Sequence, residues 1–465
     1  MSEAISLGAE SAVAHALIAE LGAEQVLLDD DVHNRSAGIW RRDTIKASVL
    51  VRPRDTDEVS RAMRVCHAHN ATVIAHGGLT GLVHSADTGP EDVVISMERM
   101  QNIEAINPLE RTAVVQSGVI LQTLQEAVAE HGLIFPLDLG GRGSCTIGGN
   151  ISTNAGGNRV IRYGMTRDMV LGVEAVLADG TVVSSMNQMI KNNAGYDLKQ
   201  LFIGTEGTLG IVTRAVLRCR ARVDEQPTLL VAVESFAQLV QFLGHADQQL
   251  RGCLSAFEVM WNNFYTLVST PPAKNPPPLP QTYPYYVLVE AIGAEEERVQ
   301  SVLADALEQG LIVDAVVASS EAQRLQIWAL RDDVEQTQQY GPSFTFDVSM
   351  RIPHMEAYVN EVNRRLSECF EQYTNFTLGH MGDGNLHFVV AVGDKSDAAR
   401  VTVERCVYEP LAEISGSVSG EHGVGLEKKP YLHFSRSAAE IELMRTLKHA
   451  LDPKGLLNPG KVFDA

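Results

Sequence analysis

The sequence predicts a mixed α+β protein of more than one domain. Three observations point there: a length of 465 residues, strand-like and helix-like segments alternating along the chain, and glycines crowded into residues 140–210 with a change of composition near residue 222. That length is about three times a common single domain, so two or three cooperating cores are expected.

From residue 47 the elements follow in order. SVLVRP reads as a strand, Thr56 as the cap of a helix with Val59, Met63 and Cys66 on one face, and TVIAH as a second strand. VVIS (93–96) and TAVVQSG (112–118) read as strands, and ILQTLQEAVAEHG as a helix stopping at Gly132. VEAVLA and TVVSS flank Asp179-Gly180, the dipeptide suited to a type I′ hairpin turn. Beyond 222, strand TLLVAVE and helix FAQLVQFLGHADQQL open a new series. It continues with strand YYVLVEAIG, helix EEERVQSVLADALEQG, strand LIVDAVVAS, helix EAQRLQIWALRDDVEQTQ, strand FTFDVSM, helix MEAYVNEVNRRLSECF and strands NFTLGH and HFVVAVG. Two stacked βαβ-type halves on one sheet satisfy this order. Within it, residues 271–284 carry seven prolines and read as a surface loop or a polyproline docking segment.

Composition narrows the function. Counting 38 Lys+Arg against 58 Asp+Glu gives 38 − 58 = −20, a field that repels phosphodiester backbones, so nucleic acid is excluded as a partner. The six cysteines form no CxxC pair and read as small core residues rather than a thiolate zinc site or a disulfide framework. The first thirty residues hold six acids and no Lys or Arg, unlike a secretory signal or transit peptide, and no apolar run approaches the roughly 20 residues of a membrane span. A soluble, cytoplasmic protein is expected.

The chemistry concentrates in motifs. AHGGLTGL (75–82) ends a predicted strand, and its Gly77, Gly78 and Gly81 leave backbone N–H groups open to a pyrophosphate, although a plain turn has the same composition. PLDLGGRGSCTIGGNISTNAGG (136–157) interleaves glycines with Ser144, Thr146, Asn150, Ser152, Thr153 and Asn154. With GTEGTLGIVT (204–213) this makes three loops, which suits a long cofactor rather than one phosphate. GxGxxG is absent, which argues against a standard nicotinamide site. GLLNPGKV (455–462) is not an ATP loop, since Val462 stands where Ser or Thr must hold magnesium.

In FTLGHMGDGNLHF (376–388), His380 ends one strand and His387 starts the next. Neighbouring strands lie about 5 Å apart, so both rings reach one ion at about 2.1 Å. Glu421 and His422 sit in the glycine-flanked SGEHGVG (419–425), and Glu421 completes a two-His, one-carboxylate set suited to zinc, manganese or iron. The alternative is that each His caps a turn. Arg331 follows apolar Ile327 and Trp328 on a helix; it either grips a carboxylate or pairs with Asp332 and Asp333 in solvent.

Taken together, HGGLTGL, PLDLGGRGSCTIGGNISTNAGG, GTEGTLGIVT, GHMGDGNLH, SGEHGVG and NPGK, in this order over nearly the whole chain, resemble the FAD-linked D-2-hydroxy acid dehydrogenases. These belong to the vanillyl-alcohol oxidase and p-cresol methylhydroxylase flavoprotein superfamily, with D-lactate, D-2-hydroxyglutarate and glycolate dehydrogenase branches. The resemblance implies an N-terminal helical segment (1–44), a PCMH-type FAD-binding domain of two α/β subdomains (45–221), a ferredoxin-like-repeat cap domain with an antiparallel sheet (222–410) and a C-terminal segment (411–465) returning to the flavin.

It further implies FAD contacts at His76, Gly77, Gly78, Leu79, Thr80, Gly81 and Leu82, noncovalent as in the relatives resembled, with a covalent tether at His76 as the alternative. The second loop would add Pro136, Asp138, Gly141, Ser144, Ile147, Gly148, Gly149, Asn150, Ser152, Thr153, Asn154, Gly156 and Gly157, and the third Glu206, Gly210, Ile211 and Val212, with Asn458 at the C-terminal return. His380, His387 and Glu421 would hold a divalent metal, zinc foremost, with His422 as general base and Arg331 on the substrate carboxylate. The implied reaction converts a D-2-hydroxy acid to the 2-keto acid by hydride transfer to flavin N5, with an electron-transfer flavoprotein or quinone as acceptor and a homodimer as the assembly. The hydroxyglutarate branch carries a Lys and an Asn where this chain has Thr345 and Val389, which favours a D-lactate-like or larger apolar side chain. D-2-hydroxyglutarate, a flavin subunit of a glycolate-oxidase-type complex and a metallohydrolase are the alternatives.

Overall fold

The computed structural model describes residues 11–465, so the first ten residues of the expected N-terminal segment lie outside it. The chain divides into two compact units: one comprises residues up to Ala155, Met165–Arg222 and Glu421–Ala465, the other Gly156–Gly164 and Val223–Gly420.

In the first unit the strands are β1 (Val26–Leu28), β2 (Val49–Val51), β3 (Val73–His76), β4 (Val93–Ser96), β5 (Ile103–Asn107), β6 (Thr112–Gln116), β7 (Leu133–Ile134), β8 (Val170–Val176), β9 (Val182–Ser185), β10 (Ile211–Arg218) and β11 (Arg220–Ala221). One sheet, ordered β1-β2-β4-β3, pairs β2, β4 and β3 in parallel. These strands are buried along their length apart from Ala75, as a sheet covered on both faces requires. A second, antiparallel sheet runs β5-β6-β10-β8-β9. The C-terminal segment returns alongside β3, where the Val73 N–H donates to Leu456 O at 2.8 Å and the Asn458 N–H donates to Val73 O at 2.8 Å.

Two local expectations are corrected here. The helix Thr56–His69 is capped by Asp55, whose carboxylate accepts the Glu58 N–H at 2.9 Å, while the Thr56 hydroxyl instead donates to Glu174 at 2.7 Å. The β8–β9 hairpin turns through three residues: Gly180 donates to Leu177 O, and Gly180 has a positive φ where Asp179 does not, so the turn is not type I′.

In the second unit, β12 (Thr228–Val233), β13 (Leu254–Trp261), β14 (Tyr285–Ala291), β15 (Asp314–Val317), β16 (Ser343–Ser349), β17 (Thr374–His380) and β18 (Asn385–Ala391) form one sheet ordered β15-β12-β14-β13-β17-β18-β16. Every neighbouring pair is antiparallel. The expected βαβ units are present in split form. The helix Phe236–Leu250 joins β12 to β13 with β14 inserted between them, and the helix Met355–Cys369 joins β16 to β17 with β18 inserted. This is the ferredoxin-like repeat that the resemblance implied, and the fold is the mixed α+β one expected.

Strand β13 is absent from the sequence-based expectations. Seven of its eight residues are buried, so no alternation marks it, and Ser255 and Glu258 interrupt its apolar run. The helix expected over 321–338 stops at Asp332 and continues as a 3₁₀ stretch, Val334–Tyr340. The proline-rich segment forms no helix or strand and is tied down by the buried Tyr265 hydroxyl, which donates to Leu279 O at 2.9 Å and accepts the Leu279 N–H at 3.0 Å. All six cysteines are free thiols; Cys369 is exposed and Cys253 half-buried, so these two are not core residues. No helix among the described residues is long and apolar enough to cross a membrane.

Candidate active site

In the first unit the candidate residues lie mostly on glycine-rich segments. Parallel β3 ends at His76, and the loop 77–82 leaves the sheet there. A Cβ on Gly78 would stand 2.0 Å from the Ser144 carbonyl oxygen, so the first and second glycine loops approach at a distance that only glycine permits. Gly81 and Gly140 face open space, with nothing within 4 Å of an added Cβ, leaving peptide surface for a ligand. In the second loop, Pro136 is buried, Asp138 pairs with Arg142, and Thr146 caps the short helix Ile147–Thr153 by accepting the Gly149 N–H at 3.3 Å. Ile147, Gly148 and Asn150 are buried, and Ser144, Gly149, Ser152, Thr153 and Asn154 are half-buried. Gly156 and Gly157 fall in the segment 156–164, which packs with the second unit through Arg162, a donor to the Ile292 and Cys253 carbonyls. Leu79, Thr80 and Gly141 are half-buried, whereas Leu82 is exposed.

His76 is buried, and its Nε2–H donates to Ala86 O at 2.9 Å. Burial pushes its pKa down to about 4, so the ring is neutral near pH 7.

In the third loop, Gly210, Ile211 and Val212 are buried where β10 begins. Glu206 spends its carboxylate on the C-terminal segment. Oε1 accepts the Val424 N–H at 2.6 Å, Oε2 accepts the Gly425 N–H at 3.0 Å, and the Ser85 hydroxyl donates to Oε2. Burial pushes this carboxyl up from the ordinary range against those hydrogen bonds. Glu206 thereby ties down the turn that follows His422. The Asn458 side-chain amide donates to the Glu206 carbonyl, while Asn458 Oδ1 is buried with no partner among the described residues, as is Ser117 Oγ. Open glycine backbone and orphaned buried acceptors fit a polar, extended group of the FAD kind.

In the second unit the candidate residues are side chains, most of them on neighbouring strands. Strand register places Glu258 of β13 opposite His380 of β17, Leu378 opposite His387 of β18, and His387 opposite Asp347 of β16. The two imidazole centroids lie 5.2 Å apart. Glu421 is bonded directly to Gly420; its carboxylate and the ligating nitrogens of His380 and His387 all lie within 4.8 Å of one another. That donor set, two imidazoles and one carboxylate, fits a divalent cation. Gly420 is itself anchored, its N–H donating to Asp347 Oδ2 at 3.1 Å, and a Cβ there would meet Asn385 Nδ2 at 2.1 Å. His422 is half-buried in the same turn.

Arg331 is buried at the end of its helix and donates from Nε to Glu258 Oε2 at 2.9 Å, while His380 Nδ1 lies 2.7 Å from Glu258 Oε1. Burial alone would raise the Glu258 pKa, but its hydrogen-bonded neighbours His380 and Arg331 hold it below the ordinary carboxylate value. Arg331 is therefore no solvated helix charge.

Sequence reasoning missed three residues. Glu258 lies on the overlooked strand. Asp347 holds Asn385 Nδ2 at 2.7 Å besides Gly420, and Asn385 also donates to Val348 O at 2.9 Å. Asp347 and Asn385 are signalled only by their place in apolar strands, where an unpaired polar group is costly.

Residues 47–185 match the family model described as an FAD binding domain, and residues 223–462 match that of the C-terminal domain of FAD linked oxidases. A D-2-hydroxyglutarate dehydrogenase of Xanthomonas citri pv. viticola is 39% identical over 433 residues, 91% of each chain. The mitochondrial D-2-hydroxyglutarate dehydrogenase of Bos taurus is 39% identical over 431 residues, 91% of this chain and 78% of that one. Among solved structures, substrate-bound p-cresol methylhydroxylase superposes with a TM-score of 0.76 at 16% identity, over 97% of this chain and 96% of that one. Alkyldihydroxyacetonephosphate synthase superposes at 0.74 and 18% identity, over 97% and 85%. At such identities the two structures speak for the fold alone.

Proposed function

Because the chain belongs to the FAD-linked D-2-hydroxy acid dehydrogenases of the vanillyl-alcohol oxidase and p-cresol methylhydroxylase superfamily, we propose that it oxidises a D-2-hydroxy acid to the 2-keto acid with FAD and a divalent metal, zinc foremost. The observation that carries this reading is the meeting of His380, His387 and Glu421 in a chain whose other motifs are those of FAD binding. Bound FAD supplies the acceptor for the α-hydride, and the bound cation supplies a Lewis acid that makes the 2-hydroxyl more acidic.

This chain's residues do the rest. Arg331 binds the substrate carboxylate through two parallel hydrogen bonds and so fixes which face of the chiral carbon presents its hydrogen. His422 takes the hydroxyl proton. His380, His387 and Glu421 hold the cation, and the loops 77–82, 136–157 and 204–212 with Asn458 hold the FAD. Electrons leave to an electron-transfer flavoprotein or quinone, and we place a homodimeric enzyme in the cytoplasm.

For the substrate side chain, Val389 supports an apolar group. It lies two residues beyond His387 on the same strand face, paired with Thr345 on one side and Phe376 on the other, and it is buried in a core with Phe376 and Leu378. A distal carboxylate there would lose its hydration without a partner. The names of the relatives favour a second reading, D-2-hydroxyglutarate. Steady-state kcat/KM with D-lactate, a longer apolar D-2-hydroxy acid, D-2-hydroxyglutarate and their L-enantiomers tests both. The first reading predicts the apolar D-acids ahead by at least about tenfold; preference for the dicarboxylate selects the second, and turnover of L-acids alone contradicts the site assignment.

A further inference from the structure

We propose that Glu258 is the positioning residue of the second unit's site, one carboxylate that sets both the ring of His380 and the guanidinium of Arg331. The inference rests on the reading of His380 as metal ligand and Arg331 as substrate anchor, and adds to it a residue that neither role requires.

Arg331 Nη2 lies 3.2 Å from His380 Nε2. A guanidinium has donors and no acceptor, so Nε2 is the acceptor there and carries no proton. The ring proton consequently sits on Nδ1, where Glu258 Oε1 accepts it at 2.7 Å. A carboxylate on Nδ1–H keeps the proton off Nε2, so the lone pair that here accepts from Arg331 is the one a cation would take in that donor's place, and it fixes the ring plane and raises its basicity. The other oxygen, Oε2, accepts from Arg331 Nε at 2.9 Å, so one side chain orients both groups.

The carboxylate is well placed for that task. Glu258 is 1% exposed, on a strand paired on both sides, by β14 and by β17. Its bonds are therefore made in a poorly screened interior from a backbone hydrogen-bonded along both edges. A contrasting carboxylate sits one strand away. Glu290 of β14 is equally buried, but it accepts from Trp328 Nε1 at 3.2 Å and Arg324 Nη1 at 3.4 Å and faces Arg159 Nε at 3.5 Å, so its partners lie outside the His380, His387 and Arg331 constellation. It serves as the control for a buried carboxylate whose role is structural.

The test compares FAD-loaded wild type, E258Q, E258D and E290Q. Glutamine in place of Glu258 keeps the shape but offers one acceptor and one donor where two acceptors are needed. Zn²⁺ affinity is read by competition with a chromogenic chelator, the His380 tautomer by ¹⁵N resonance of the imidazole, and KM and kcat with D-lactate or the best D-acid found. E258Q is expected to weaken Zn²⁺ binding about 10–100-fold and raise KM about tenfold or more, with the flavin spectrum unchanged. E258D, charged but too short to reach both partners, recovers one of the two effects. E290Q lowers the melting temperature and leaves zinc affinity and KM as in wild type. If E258Q lowers only the melting temperature, or if the wild-type ring carries its proton on Nε2, the role of Glu258 is overturned while the metal reading stands. If wild type binds no Zn²⁺ through His380, the metal reading falls and this role with it.

Discussion

The two units differ in what carries their candidate chemistry. In the first, three glycine loops bare their peptides, and the closest approach, Gly78 against the Ser144 carbonyl, is set by the absence of a side chain. In the second, Glu258, His380, His387 and Asp347 are brought onto four neighbouring strands by register, with Glu258 bonded to His380 and Asp347 to Asn385. The difference predicts separable failures. Damage to the glycine loops should release the flavin, whereas damage to the side-chain constellation should leave a yellow protein that does not turn over.

The largest effect sharpens that contrast. H422N is expected to lower kcat about 10²–10⁴-fold with flavin content unchanged, read by steady-state assay beside the visible spectrum; loss of flavin from this variant would break the comparison. G78A should show the opposite signature, because a methyl group 2.0 Å from a carbonyl oxygen forces the loops apart. The expected destabilisation is about 3 kcal/mol, with protein purifying short of FAD, and normal flavin content would contradict a backbone-built cradle.

The third prediction concerns pH. His76 has a folded pKa near 4 against an ordinary histidine value of 6.5. The unfolded chain therefore binds the extra proton first, and stability falls as pH drops from about 6.5 to about 4, by about 3 kcal/mol in all. Urea denaturation across that window reads the effect, and H76N should flatten it. The smallest expected effect separates two roles for Glu206. Since its carboxylate is spent on the 424–425 amides and Ser85, E206Q should cost about 2 kcal/mol and lower kcat, with FAD affinity near wild type. Weakened FAD binding with kcat per bound flavin intact would return Glu206 to the cofactor.

Legibility followed the same division. A backbone site advertises itself in composition, so HGGLTGL and the 136–157 stretch stand out from neighbouring sequence, and the second unit's strand and helix order is readable from local periodicity. Register is not. Strand, helix, strand reads the same whether the strands pair directly or receive an inserted third, and only long-range pairing makes β12-β14-β13 antiparallel. His380 and His387 are visible because one short loop separates them. Glu258 is not, because its strand is buried on both faces and its partners lie 73 and 122 residues away. The Asp55 cap is obscured by Thr56 beside it, a residue equally suited to capping but engaged by Glu174.

The central claim is that flavin and side-chain constellation work together in one oxidation. It is tested most directly by the anaerobic visible spectrum of the purified protein on adding the preferred D-2-hydroxy acid, before and after chelation and again with Zn²⁺ restored. The account predicts a flavin band that the D-acid bleaches, that survives the chelator without bleaching, and that bleaches again once metal returns. Bleaching at an undiminished rate in the chelated protein would contradict the metal's part in the chemistry, and a colourless protein that FAD cannot reconstitute would contradict the oxidation itself.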